Sequence, residues 1–217
     1  MFTYRPDGTS PEATLAELRG YDQHASALPA DFTTFEVASD LIRAAERQRG
    51  PVELLVHAVG PIVVKSFAKS TPLEYREMVA GNLDSAVALA FAVLPGMRER
   101  GFGRLVYFGM NGSSVTRPAR GMSLYGAAKA GVVTFARALA LEEAQYGITI
   151  NVIEPGDIRN KSVRRTAARA IAANNPTGHA GSWEDIADAV QFVIADEASF
   201  LNGMVLSVNG GLVESHE

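Results

Sequence analysis

Cysteine is absent from the 217-residue chain. That excludes disulfide staples and thiolate chemistry, and it accords with a reducing cytoplasm. Neither sign of charge is in large excess: 20 Lys and Arg face 24 Asp and Glu, a net charge of −4. This balance gives no electrostatic footprint for nucleic acid or an acidic membrane. The first residues, Met1 to Gly8, hold no apolar signal region. No run approaches the roughly 18 apolar residues of a membrane span. Leu83 to Pro95 is apolar but short and broken by Asp84, so it reads as a buried core helix. His24, His57, His179 and His216 show no metal-ligand spacing, and no Gly-x-Ser-x-Gly nucleophile turn occurs. The densest basic stretch, with Arg159, Lys161, Arg164, Arg165 and Arg169, reads as a solvated helix face.

What is present is ordinary for a globular domain: 47% hydrophobic and 20% charged residues. Strand and helix patterns alternate through one domain, residues 1–217. Met1 to Tyr4 reads as a short strand stopped by Pro6-Asp7-Gly8. Ser10 and Pro11 open a helix closed by Gly20. A weak strand is expected over His24 to Leu28. Thr33 or Thr34 opens the next helix, which Gly50 ends. Val52 to Val59 reads as a strong strand. Thr71 and Pro72 begin a helix running to about Arg100, Arg104 to Phe108 is a buried strand, and a helix follows from about Met122 to Tyr146. Ile148 to Ile153 is a strand closed by Pro155-Gly156. Ser182-Trp183-Glu184-Asp185 has the form of a capping box, and Met204 to Val208 is the last strand. Strands separated by helices of this length imply an α/β fold: a doubly wound, Rossmann-like parallel sheet with helices on both faces. Ligands then bind beyond the carboxyl ends of the strands, here the loops after Tyr4, Val59, Phe108 and Glu154.

The segment richest in chemistry is Tyr125-Gly126-Ala127-Ala128-Lys129. Four residues apart on a helix, Tyr125 and Lys129 share a face. An ammonium beside a phenol lowers its pKa and suits it to proton transfer. Small residues continue this helix, and a strand ending in Pro155-Gly156 follows it, a turn that lets backbone approach a ligand closely.

With those residues in order, the chain resembles a short-chain dehydrogenase/reductase, similar to the bacterial 3-oxoacyl-acyl-carrier-protein reductases. The resemblance runs from Met1 to Leu212. Val56-His57-Ala58-Val59-Gly60 stands where the family has its Asn-Asn-Ala-Gly strand end. Asn82, Tyr125 and Lys129 match three residues of the family's catalytic tetrad, and Pro155-Gly156-Asp157-Ile158 matches the turn over the nicotinamide. The resemblance implies that Tyr125 is the general acid in reduction, that Lys129 lowers its pKa and bonds the nicotinamide ribose, and that Asn82 holds a water in a proton relay. Asp31, with its neighbour Phe32, would meet the adenine end of the cofactor. Ala58, Gly60, Pro155, Gly156 and Ile158 would line its path. Arg5 follows the strand that sets cofactor choice, and its guanidinium suits a ribose 2′-phosphate, so NADP is expected over NAD. A small carbonyl or acyl substrate and a homodimer or homotetramer are also implied.

Three departures stand against the family pattern. The strand, Gly-rich turn and helix that bind the pyrophosphate have no match, and Met1 falls in the family's second strand, so the sequence reads as N-terminally incomplete. The catalytic serine is displaced: alignment from Gly103 puts Met110 there, while counting back from Tyr125 gives Gly112. Ser113 is the candidate in its place, with Ser114 and Asn111 as other donors in the same loop. His57 and Ala58 replace two asparagines, and His57 reads as a core or rim histidine. The first two departures give a second reading, a non-catalytic relative acting as a binding or assembly module.

Overall fold

The computed structural model describes residues 1–8, 10–31, 35–115, 117, 119–159 and 163–212. In chain order the elements are β1 (Phe2–Tyr4), α1 (Glu12–Arg19), β2 (Ala27–Pro29), α2 (Phe35–Arg49), β3 (Leu54–His57), α3 (Pro72–Val79), α4 (Ser85–Arg100), β4 (Gly103–Phe108), α5 (Ser123–Glu143), β5 (Ile148–Pro155), α6 (Arg165–Ala168), α7 (Trp183–Ile194) and β6 (Val205–Val208). All pairings between these strands are parallel. One sheet runs β3-β4-β5-β6, and β1 pairs with β2 in a second sheet of two strands.

The central strands explain the layering. All six residues of β4 are buried, as expected for a strand covered on both faces. Alternate residues point to opposite sides. Leu105 and Tyr107 join Ile148, Ile150 and Val152 under α2, α4 and α5. Val106, Phe108 and Ile153 pack beneath Ile186, Ala189 and Val193 of α7. On α5 the buried residues Lys129, Val132, Val133, Ala136, Leu139, Ala140 and Glu143 recur every three or four positions, one helical face laid on the sheet. Each large aliphatic side chain buried there contributes about 1.5–3 kcal/mol relative to exposure. Arg98 of α4 donates through Nε (2.7 Å) and a second nitrogen to the buried Glu143, tying α4 to α5.

The structure departs from the sequence reading in several places. The strand expected over Val52 to Val59 shortens to Leu54–His57, and its Leu54 and Val56 are half exposed. Among the described residues β3 pairs only with β4, and β1 only with β2. The strand expected at His24 to Leu28 lies at Ala27–Pro29. The α1 N-cap position is Pro11 rather than Ser10, whose Oγ accepts only a long bond from Glu12 N (3.4 Å), and Gly20 closes the helix with right-handed φ of −68°. Thr33 and Thr34 lie outside the described residues.

The helix expected from Thr71 to Arg100 is broken by a π turn, Ala80–Asp84, that separates α3 from α4. With that turn it spans 29 residues, and α5 with its last turn spans 24. Both are long and apolar enough to cross a membrane by length and composition, a feature missed by looking for unbroken apolar runs. Half of the most apolar stretch of the first is buried, as befits a helix packed on a sheet.

The basic stretch is not a solvated helix face. α6 has only four residues, and three of the four arginines of the stretch are paired: Arg159 with Asp157 (2.8 Å), Arg164 with Glu17 (2.8 Å), and Arg165 with Asp185 (3.0 Å) and Asp188 (2.6 Å). Glu184 and Asp185, in the acidic first turn of α7, draw in Arg164 and Arg165. Lys161 lies outside the described residues.

Candidate active site

Tyr125 and Lys129 sit in the first two turns of α5, above the carboxyl end of β4. Lys129 is 4% exposed, and its Nζ donates to the Phe108 carbonyl at 2.9 Å. That Nζ lies 5.6 Å from the Tyr125 ring centroid. Burial pushes the Lys129 ammonium down to about 8 and pushes the Tyr125 phenol above its ordinary value. The spacing in the sequence predicts a phenol lowered by the lysine. In the structure, removal from water outweighs the lysine, whose ammonium is held by a backbone carbonyl.

The loop after β4 is built around one carboxylate. Glu154, on β5 and 1% exposed, accepts from Gly112 N (3.2 Å), Ser114 N (2.7 Å), Ser113 Oγ (2.7 Å) and Ser114 Oγ (3.2 Å). A buried carboxylate is tolerated only when so satisfied. Two glycines permit this grip. A Cβ at Gly109 would fall 2.7 Å from Ser113 Oγ and 3.0 Å from Glu154 Cγ, and Gly112 has φ of +82°. Ser113 is itself buried, and its Oγ also accepts from Met110 N at 3.1 Å. The candidate serine therefore faces Glu154. Met110, at the serine's aligned position, has its Cε against α5, where a methyl on Gly126 would meet it at 3.4 Å.

Asn82 occupies the π turn and is fully buried. Its Nδ2 donates to the carbonyls of Met78 and Pro61, both at 3.0 Å. The first is a carbonyl of the preceding helical turn, and the second pins the loop after β3. Gly60, with φ of +140°, passes so close that a Cβ there would lie 2.0 Å from Asn82 Oδ1. Gly81 likewise leaves room for Pro61. Asn82 Oδ1 is buried and has no hydrogen-bond partner among the described residues. This asparagine staples a loop to a helix.

His57 lies beneath the same loop, 1% exposed. Ser85 Oγ donates to the Gly81 carbonyl (2.8 Å), so it accepts from His57 Nε2–H at 2.9 Å. Burial first, and the charge of Lys129 second, push the imidazole down to about 3. His57 is thus a neutral core residue, and its Nδ1 has no partner among the described residues.

The turn after β5 is anchored by Gly156 N donating to Val208 O (3.0 Å). A Cβ on Gly156 would lie 2.6 Å from Asn209 Cα and Cβ, so only glycine fits. Ile158 packs into the second core cluster and bridges to Gly181. These residues, Tyr125, Lys129 and the 109–114 loop share the carboxyl edge of one sheet. Arg5 and Asp31 do not: they follow β1 and β2, in the other sheet, and both are exposed. Arg5 donates through Nε (3.2 Å) and NH2 (3.0 Å) to Asp7. Ala58 and Gly60 are exposed after β3, and Phe32 lies outside the described residues.

A family model described as enoyl-(acyl carrier protein) reductase matches residues 1–213. An acetoacetyl-CoA reductase of Rhizobium meliloti is 36% identical over 187 residues, covering 83% of this chain and 76% of that protein. The 3-oxoacyl-acyl-carrier-protein reductase of Haemophilus influenzae is 34% identical over 183 residues, covering 83% and 75%. The chain belongs to the short-chain dehydrogenase/reductase family. As such it is an oxidoreductase. A solved structure from Bacillus thuringiensis, provisionally named a 3-oxoacyl-reductase, superposes with a TM-score of 0.87 at 30% identity, covering 99% of this chain and 87% of that one.

Within the short-chain dehydrogenase/reductase frame, sequence reasoning missed Glu154, Ser85 and Asn209. Glu154 had a signal: one acidic residue in an otherwise apolar strand must find donors. Ser85 and Asn209 had none, because the partners that tie them into the site, His57 and Asn111, come from distant segments.

Proposed function

We propose that the protein reduces the keto group of a 3-oxoacyl thioester at the expense of NADPH, with Tyr125 as general acid. The observation that carries this is the Tyr125–Lys129 pair, held at the carboxyl edge of the sheet by the Lys129–Phe108 bond. The acetoacetyl-CoA and 3-oxoacyl relatives support the substrate class.

The residues fit a dinucleotide at its nicotinamide end. Gly156 is packed against Asn209, which fixes the turn, and Pro155, Gly156 and Ile158 would border the nicotinamide from it. Lys129 would hold the ribose. Ala58 and Gly60 would border the middle of the cofactor, with Asp31 and Phe32 toward the adenine and Arg5 toward a 2′-phosphate. Among the described residues no Gly-x-Gly turn joins a strand to a following helix to receive the pyrophosphate.

When bound, the reduced nicotinamide supplies a hydride. Tyr125 does the rest. Its raised pKa keeps the phenol protonated near neutral pH, which is what a proton donor to the carbonyl oxygen requires. The phenolate left behind has Lys129 as the cation one turn away on the same face. Asn82 acts at a distance, by fixing Gly60 and Pro61. Exposed Phe91 on α4 and Leu141 on α5 support a dimer or tetramer built on these helices, which light scattering would test.

The test is NADPH oxidation with acetoacetyl-CoA. Tyr125→Phe should lower kcat by about 10²–10⁴-fold while NADPH binding is kept. Near-normal turnover in that variant would sink the acid role. A folded wild type that turns over no carbonyl or enoyl substrate would favour the binding-module reading.

A further inference from the structure

We infer that Asn111, rather than a serine, gives the second hydrogen bond to the substrate carbonyl, and that Glu154 is the positioning residue responsible. The inference rests on the oxoacyl-reductase reading and names a donor within its site.

The loop between β4 and α5 offers three polar side chains near its start: Asn111, Ser113 and Ser114. A serine hydroxyl has one proton to give. Ser113 gives its proton to Glu154 Oε1 and Ser114 gives its own to Glu154 Oε2. Neither is readily turned toward another acceptor, because the carboxylate is 1% exposed and losing a donor leaves buried charge unsatisfied.

The orientation of Asn111 follows from its neighbours. Gly211 N–H donates to Asn209 Oδ1 at 3.0 Å, which fixes the Asn209 amide. Asn209 Nδ2 must then be the group that donates to Leu212 O (3.2 Å) and to Asn111 (2.6 Å). Asn111 therefore meets it with Oδ1. Its Nδ2, with two N–H groups, has no partner among the described residues. Asn111 is only partly buried, at the carboxyl edge of the sheet, and the residue before it rests on α5 beside Tyr125. An amide there polarises a carbonyl but passes on no proton, so proton delivery is left to Tyr125.

The test compares kcat with acetoacetyl-CoA and NADPH across four variants. Asn111→Asp keeps the oxygen that Asn209 needs and removes both donors. A structural role predicts near-normal turnover for it. The donor role predicts a fall of about 10²-fold, as for Asn111→Ala, with unchanged NADPH affinity. Ser113→Ala should fall less than tenfold. Glu154→Gln, which cannot accept all four bonds, should lose about tenfold in kcat with NADPH affinity kept, and both it and Ser113→Ala should melt about 3 °C or more below wild type. Wild-type kcat in Asn111→Asp, or a loss in Ser113→Ala equal to that of Asn111→Ala, overturns the assignment of the donor. Unchanged melting of Ser113→Ala and Glu154→Gln overturns the role of Glu154, and that readout does not depend on turnover. A wild type inactive on acetoacetyl-CoA overturns the functional reading itself.

Discussion

The carboxyl ends of β4 and β5 differ sharply from those of β1 and β2. At the first pair a buried carboxylate collects four hydrogen bonds, and Lys129 is fixed to a strand-end carbonyl. At the second pair the candidate groups, Arg5 and Asp31, stand in solvent, and among the described residues Arg5 is paired only with its near neighbour Asp7. The loop after β3 sits with the rigid set, clamped by Asn82. The groups proposed for chemistry are thus held by the protein itself. Those proposed for the adenosine end have little to hold them before a ligand arrives. Preorganisation is concentrated where charge would develop.

Substitutions can break or sharpen that contrast. The largest effect should come from Gly60→Ala, because the added methyl meets Asn82 Oδ1 and the backbone is at φ +140°. About 3 kcal/mol or more of stability should be lost, read by chemical denaturation. A neutral result would mean that the β3 loop is not clamped. Asn82→Ala should follow at about 2–3 kcal/mol, since it strips the donor from two carbonyls. Equal stability in that variant would contradict the staple.

His57 provides a pH test of the same rigid region. Its folded pKa of about 3 lies below the ordinary 6.5, so below pH 6.5 the unfolded chain takes up a proton that the folded chain refuses. Stability should therefore fall as pH drops from 6.5 toward 3. The loss from this group reaches about 2 kcal/mol at pH 5. Replacing His57 with Gln should flatten that acid slope, and an unchanged slope would show that the imidazole is not held neutral. The smallest effect belongs to the exposed end. Arg5→Ala should weaken NADPH binding by about three- to tenfold and leave NADH alone, because an exposed guanidinium shared with Asp7 contributes little. Equal losses for both nucleotides would remove Arg5 from 2′-phosphate recognition.

Part of this was legible in the sequence. The capping box at Ser182–Asp185 forms as its spacing implies, and Thr71 caps α3 as expected, with Glu74 completing a second box, because a cap involves residues only three apart. The π turn was not legible, since it depends on Pro61 packing against Gly81 and on Asn82 reaching back to Met78. Nor were the ion pairs of the 159–169 stretch, which join Arg164 to Glu17 across 147 residues.

By itself the sequence determined the order of strands and helices and the placing of Tyr125 and Lys129 on one helical face. Those properties follow from spacings of two to four residues and from apolar runs that must be covered. Tertiary structure alone decided that burial raises the Tyr125 phenol, that His57 is neutral, and that Ser113 bonds Glu154 while the Asn111 N–H groups stay unpartnered among the described residues. Each of these depends on which distant group fills a hydrogen bond and on how much water is excluded, and Ser113 and Glu154 are 41 residues apart in the chain.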